Sequence, residues 1–470
     1  MNYQGVEKMN YCEDRVNDIK IAYIGGGSQL WAKSLMNDLA LEARISGTVA
    51  LYDINFEAAL TNEKVGNILS NKKETKGKWQ YKAVKTIEET LKDADFVVIS
   101  ITPGTLKEMA SDVHVPEKYG IYQSVGDTVG PGGIVRALRA VPMYAQIAEY
   151  IKKYSPNAWV LSYTNPMSVC TRTLFEIFPE IKAFGCCHEV FHVQKLLTQM
   201  LEDMEGIKDI KRKEIKINVI GINHFTWISE ASYQGKDLMP LYERFADKYY
   251  EAGFEPYKDF WKSSSFESAH RVKFDLFKQY GLIAAAGDRH LAEFMPPNYL
   301  RDKETIASWK MQLTSVDSRM KTLKEKISDT KKIIAGEKDI EVKPSGEEGV
   351  EIILALLGLK DTVSNVNIPN KGQIGNLPLG SIVETNALIQ RNSIRPVYAG
   401  KLPLDILNIV QRHAINQESI VKAALTKDKK LAFNTFVNEP LVSISRSQAE
   451  ELFAEMLNNT NKYLKEWDLS

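Results

Sequence analysis

The feature that most constrains this chain is a run of three glycines set between a strand and a helix. Ile19 to Ile24 is a short, β-rich apolar run that ends at Gly25-Gly26-Gly27-Ser28. Glycine lets a backbone turn sharply and approach a ligand closely. Ser28 is a good N-cap residue, so a helix is expected to start there. The helix N-terminus would offer free N–H groups and a positive dipole end to a pyrophosphate. Thr48 to Tyr52 reads as the next strand and ends at Asp53, where a carboxylate would accept hydrogen bonds from ribose hydroxyls. Strand, glycine turn, helix, strand and acid in that order point to a dinucleotide site. The competing reading is a structural turn with an incidental Asp53, and Leu30 stands where a G-x-G-x-x-G motif has its third glycine. Asp53 favours NAD over NADP, because it would repel a 2′-phosphate. Thr102, directly after the apolar run Phe96 to Ile101, is placed with the cofactor residues.

The alternation continues along the first half. Asn55 to Ser70 is helical in pattern, and Phe96 to Ile101 is apolar throughout, as in a strand buried on both faces. Pro131-Gly132-Gly133 opens a helical stretch to Tyr150, with a kink expected at Pro142. Ala158 to Tyr163 and Lys182 to Cys187 read as strands flanking a helix over Met167 to Phe178. This rhythm predicts an α/β fold: a Rossmann-like, doubly wound parallel sheet over residues 18–205. Beyond residue 205 the rhythm changes. Glu214 to Ile222 and Trp227 to Tyr233 look like sheet segments joined through Asn223-His224. Residues 206–470 are assigned to a second, α+β domain. Residues 301–348, rich in Lys, Glu and Asp, read as solvated helices.

Composition removes several classes of function. Sixty Lys+Arg balance sixty Asp+Glu, so the chain lacks the basic excess that a general nucleic-acid or anionic-membrane binder needs. The apolar stretch Ile352 to Leu359 is far short of the ~18 residues that span a bilayer. The acidic N-terminus has no apolar signal region, and four cysteines are too few for a disulfide framework. A reducing, cytoplasmic setting is expected.

Three polar clusters are candidates for chemistry. Cys186-Cys187-His188-Glu189-Val190 ends the last predicted strand of the sheet, on the side where open α/β sheets bind ligands. Asn223-His224 follows an apolar strand, and Gly287-Asp288-Arg289-His290 follows another apolar run. Taken singly, each can be a buried cysteine, a hydrogen-bonded structural histidine or a polar loop. Thiolate and imidazole together suit Mn²⁺, Fe²⁺, Co²⁺ or Zn²⁺. Two protein ligands would leave positions open for substrate oxygens, as in a catalytic metal site.

Taken together, the glycine turn, Gly130-Pro131-Gly132-Gly133, Thr164-Asn165-Pro166, Cys187-His188 and Asn223-His224 resemble glycoside hydrolase family four. The resemblance extends to Asn367-Ile368-Pro369-Asn370 and Gly375-Asn376-Leu377-Pro378. It implies a glycosidase that uses NAD and a divalent metal, commonly Mn²⁺, on a fold related to lactate and malate dehydrogenases, with substrate, metal and oligomer contacts in residues 206–470. Cys187-His188-Glu189-Val190 is similar to the α-galacturonidase subgroup, which implies small oligogalacturonides as substrates and a homodimer or homotetramer. The implied route oxidises sugar C3, removes the C2 proton, eliminates the glycosidic oxygen, adds water and returns the hydride. Carried over by position, Cys187 and His224 would ligate the metal, with Asp127 and Asn165 at the substrate. Asp288 would be the C2 base, and His188, then Glu189, the acid. Arg289 and His290 would contact the uronate carboxylate. The alternatives are an α-galactosidase or α-glucosidase of the same family, or a lactate/malate-type hydroxy-acid dehydrogenase. The dehydrogenase would not need Cys187 with His224.

Overall fold

The computed structural model describes residues 9–467. Six parallel strands form the heart of the first sheet: Arg15–Ile24, Ile45–Tyr52, Lys78–Ala83, Phe96–Ile99, Trp159–Ser162 and Lys182–Gly185. Numbered along the chain, they lie side by side as 3-2-1-4-5-6. That is the doubly wound dinucleotide-binding order, with its ligand crevice where the order reverses. Phe96–Ile99, at that reversal, is buried along its whole length. Lys78–Ala83 is absent from the strands predicted above. It sits at the sheet edge and alternates exposed Lys and Gln with buried Trp79 and Tyr81, so it has no continuous apolar run.

Three further strands extend this sheet antiparallel. Thr362–Pro369 meets Lys182–Gly185 where Asn367 faces Gly185, then pairs with Ile382–Gln390, which pairs with Ser393–Pro396. The first sheet therefore draws strands from both sides of residue 205. A second, antiparallel sheet is built on Phe225–Tyr233, flanked by Lys216–Ile222, Ile283–Ala284 and Lys236–Asp237. The predicted junction is a tight hairpin: Ile222 pairs with Phe225, so Asn223 and His224 alone make the turn. His224 sits at φ +63°, in the left-handed region that non-glycine residues seldom occupy.

Helix Gly130–Tyr154 runs unbroken through Pro142, which lies on its exposed face. Its opposite side is buried and helps to form the largest apolar cluster. That cluster joins Ile134 and Leu138 to Ile220 and Trp227 of the second sheet, and to Ile406 and Phe453 of the C-terminal helices. A second cluster joins Tyr23 and Leu51 to Ile353, Val366 and Ile389. Burial of apolar area, the main favourable term in folding, thus ties early and late segments into shared cores. Helix Val316–Ile334 is exposed along much of its length, as expected. Its inner face has a further role: Thr330 hydrogen-bonds Gln29 at 3.0 Å and also meets Lys33, beside the glycine turn. Among the described residues, no helix is long and apolar enough to cross a membrane.

Candidate functional site

The glycine turn has the shape its sequence implies. Gly25 has φ +92°, and a Cβ there would lie 2.1 Å from the Ser100 carbonyl oxygen. Gly27 N–H donates to Asp53 Oδ2 at 2.9 Å, and Asn55 N–H donates to Oδ1 at 2.9 Å. A Cβ on Gly27 would lie 2.8 Å from Asp53 Oδ2, so glycine is what allows the acid to approach. Each carboxylate oxygen keeps lone pairs for a ligand. The helix begins at Trp31 rather than at Ser28, but the Ser28 hydroxyl still accepts from Trp31 N–H at 3.1 Å. Leu30 is exposed, so no packing constraint demands a third glycine there. Thr102 is exposed on the loop that follows Ser100. Buried Asn62 donates to the carbonyls of Gly26 (2.7 Å) and Ser28 (2.9 Å), which fixes the turn. The sequence signal for Asn62 was a polar residue on the apolar face of helix Phe56–Ser70.

Asp127, His224 and His290 bring one ligand atom each to within 4.8 Å of one another. Asp127 comes from the loop before helix Gly130–Tyr154, His224 from the hairpin turn, and His290 from helix Asp288–Phe294. The two imidazole rings lie 3.8 Å apart between centroids. Thr128 Oγ1 lies 2.9 Å from His224 Nδ1 and donates to Asp127 Oδ1 at 2.7 Å, which orients both. Asn165 Nδ2 donates to Asp127 Oδ2 at 3.4 Å. Asn165 Oδ1 and His290 Nδ1 are buried with no hydrogen-bond partner. Orphaned buried acceptors are costly, so they mark a place where a ligand belongs. Burial, helped by His290, depresses His224 to about 3. Burial would raise Asp127, but His290, Arg136 and His224 outweigh it and hold it at about 2. A neutral imidazole and an ionised carboxylate are the forms that bind a divalent cation, so these donors fit one.

The Cys187 to Val190 segment forms the adjoining wall. Glu189 opens helix Glu189–Glu205, and its Oε2 accepts from Gly287 N–H at 2.6 Å. Its Oε1 lies 3.9 Å from His290 Nε2. Burial would raise Glu189, but His290, His224, His188 and His192 outweigh it and keep it below the usual carboxylate range. His188 Nδ1 meets Glu347 Oε1 at 3.0 Å, and that contact raises its pKa despite burial. Glu347 comes from the charged segment, residues 301–348, that reads as solvated helices in the sequence. The Cys187 thiol is buried, and burial, with Glu384 and Glu189 nearby, pushes it well up. The side chain of Asn223, one residue from His224, works in the opposite direction. Among the described residues, Cys187 does not share the mutual 4.8 Å spacing of Asp127, His224 and His290.

Two expectations are corrected here. Asp288 does not face the crevice. Its carboxylate is fully buried, accepting from Val272 N–H at 3.1 Å and Lys273 N–H at 3.3 Å, with Lys273 Nζ at 3.6 Å. It caps the N-terminal end of helix Arg271–Tyr280 and neutralises a buried lysine, so it is not placed to take a sugar proton. Arg289 is likewise committed. It donates through Nε to Gln312 O at 3.2 Å, and through Nη2 to Thr314 Oγ1 at 2.6 Å and to the carbonyl of Ser124. Its guanidinium clamps loops together instead of reaching for a uronate.

Glu293 was not singled out by sequence. Its Oε1 accepts from Val125 N–H (2.7 Å) and Gly126 N–H (2.9 Å), shaping the loop that carries Asp127. Burial raises it to about 8. An acid raised in the fold contributes its stability fully below the unfolded value near 4.5, and that contribution is lost as pH rises through about 8. Glu293→Gln should therefore gain stability relative to the parent between pH 5 and 8, by roughly 3–4 kcal/mol. Thermal melts across that range test this; parallel curves for the two proteins would refute it.

The chain matches the model described as "Family 4 glycosyl hydrolase" over residues 20–203, and that of the family's C-terminal domain over residues 219–442. It is 59% identical over 463 residues to an α-galacturonidase of Thermoanaerobacterium saccharolyticum, covering 98% of this chain and 100% of that protein. The crystal structure of lplD from Bacillus subtilis superposes with a TM-score of 0.90 at 54% identity, covering 94% of this chain and 100% of that one. A 6-phospho-α-glucosidase from gut microorganisms, solved with NAD and Mn²⁺, shares the fold at a TM-score of 0.80 and 19% identity, covering 95% of this chain and 99% of that one. The chain belongs to family 4 of the glycosyl hydrolases.

Proposed function

We propose that this glycosidase is an NAD- and divalent-metal-dependent α-galacturonidase that releases galacturonate from small oligogalacturonides. The observation that carries the substrate is the 59% identity to an α-galacturonidase over essentially the full length of both proteins. The geometry supports the cofactors: a glycine turn with a ribose-facing acid on one side, and converging Asp127, His224 and His290 on the other. The cytoplasm and a homodimer or homotetramer complete the proposal.

In this reading the turn at Gly25, Gly26, Gly27 and Ser28 takes the pyrophosphate, Asp53 takes ribose hydroxyls, and Thr102 borders the cofactor. Asp127, His224 and His290 hold the cation; Cys187, outside their mutual spacing, becomes a fourth donor only by moving toward a bound cation that lowers its thiol pKa. When bound, NAD supplies reversible hydride removal at a sugar carbon, and the metal supplies Lewis-acid polarisation of neighbouring oxygens. Asn165 orients the sugar through its unpartnered carbonyl oxygen. His188, held by Glu347, keeps a proton for the departing oxygen. Glu189, ionised at the same wall, is the group left to accept one.

Release of 4-nitrophenol from an aryl α-galacturonide should need both NAD⁺ and Mn²⁺ under reducing conditions. Turnover that persists after dialysis against chelator and removal of nucleotide would reject the proposal. An aryl α-galactoside, α-glucoside and 6-phosphoglucoside in the same assay separate the family's other activities.

A further inference from the structure

A uronate differs from a neutral hexose by its C6 carboxylate, and a site that selects it needs a cationic donor within reach. With Arg289 committed to loop carbonyls, that donor must come from elsewhere. We infer that Arg319, in helix Val316–Ile334, receives the substrate carboxylate. The inference rests on the galacturonide reading above and names the residue that sets its specificity.

Three observations place Arg319 at this site. Thr314 N–H donates to Ser124 O at 3.1 Å, and Ser124 Oγ donates to Arg289 O at 2.5 Å. One junction thus pins the loop leading to Asp127, the helix carrying His290 and the start of the helix carrying Arg319. The Arg319 guanidinium lies over Phe266, with Cζ 5.4 Å from the ring centroid, and Arg289 Cζ lies 5.6 Å from that same centroid. Phe266 is 68% exposed, so this stacked pair stands at a solvent-reachable rim.

The third observation concerns what Arg319 lacks. Its Nε is buried with no hydrogen-bond partner. Among the described residues, no carboxylate lies within ion-pair distance of its guanidinium. A partly dehydrated, unpaired guanidinium is unfavourable, and an incoming carboxylate relieves that cost with two parallel N–H···O bonds. Burial holds Arg319 below the ordinary arginine range, and Asp127 works in the opposite direction. Arg136 stands deeper in the site, with Nε donating to Asn165 O at 3.0 Å, and adds positive charge there.

The test compares Arg319→Met and Arg319→Lys with the parent enzyme, supplied with NAD⁺ and Mn²⁺, on 4-nitrophenyl α-galacturonide and its 6-methyl ester. On the galacturonide, Arg319→Met should lower kcat/KM by about 30- to 100-fold, mainly through KM, the effect of losing charge-assisted hydrogen bonds. On the uncharged ester the loss should stay below about threefold. Arg319→Lys should fall between, because an ammonium keeps the charge but not the fork. Thermal melts show whether each variant is folded. Equal losses on both substrates, or none on either, overturn the assignment of Arg319 alone. A parent enzyme that releases nothing from the galacturonide overturns the substrate reading, and this inference with it.

Discussion

Replacing His224 with alanine is expected to lower kcat/KM by about three orders of magnitude, with NAD⁺ and Mn²⁺ at saturation. The imidazole is held on three sides. The two-residue turn sets its backbone at φ +63°, Thr128 sits 2.9 Å from Nδ1, and the His290 ring lies 3.8 Å away between centroids. Nε2 is thereby left for a ligand, and its depressed pKa keeps it unprotonated across the physiological range. Polarising a sugar oxygen during proton removal is worth several kcal/mol, which sets the size of the loss. Equilibrium Mn²⁺ binding, followed through the signal of the free ion, separates this from a folding defect. A folded variant with parental Mn²⁺ affinity would remove His224 from the metal site.

Asp288→Ala should act on stability rather than on chemistry. The carboxylate neutralises Lys273, whose side chain is 2% exposed, and caps two backbone N–H groups. Removing one partner of a buried ion pair strands the other, at a cost of about 3–5 kcal/mol. Urea denaturation should show that loss directly. Adding Lys273→Met should recover part of it, because the stranded charge is then gone. The opposite result, a folded protein of parental stability whose rate collapses, would restore Asp288 as the base.

Much of the architecture was legible because it depends on local patterns. The apolar run Phe96 to Ile101, the turn at Gly25 to Ser28 and Asp53 each carry their signal within a few residues; the turn and the acid stand where the pattern places them, and the strand ends two residues early, at Ile99. The hairpin at Asn223-His224 was equally plain. The return of Thr362–Pro369 to the edge of the first sheet was not, because strand pairing across some 180 residues leaves no periodic mark. The site divides in the same way. His224, Glu189 and Asp127 stand out in their motifs, and all three side chains lie beside His290 in the fold. Glu347, which meets His188, and Arg319, the residue proposed above, come from a charged stretch whose composition describes only its wet face. Asp288 and Arg289 misled for a physical reason: a polar cluster after an apolar run reveals that partners are needed, not whether they are a ligand or the protein itself.

The pairing of Asn367 with Gly185 bears on how such an enzyme can be divided or recombined. A fragment stopping at the end of helix Glu189–Glu205 would contain a complete nucleotide fold by topology, yet leave Lys182–Gly185 as a naked border with free amide and carbonyl groups. Such borders recruit other chains. The cofactor half is thus no portable cassette: its last rung is supplied by polypeptide made much later, and redox machinery and sugar pocket stand or fall as one body.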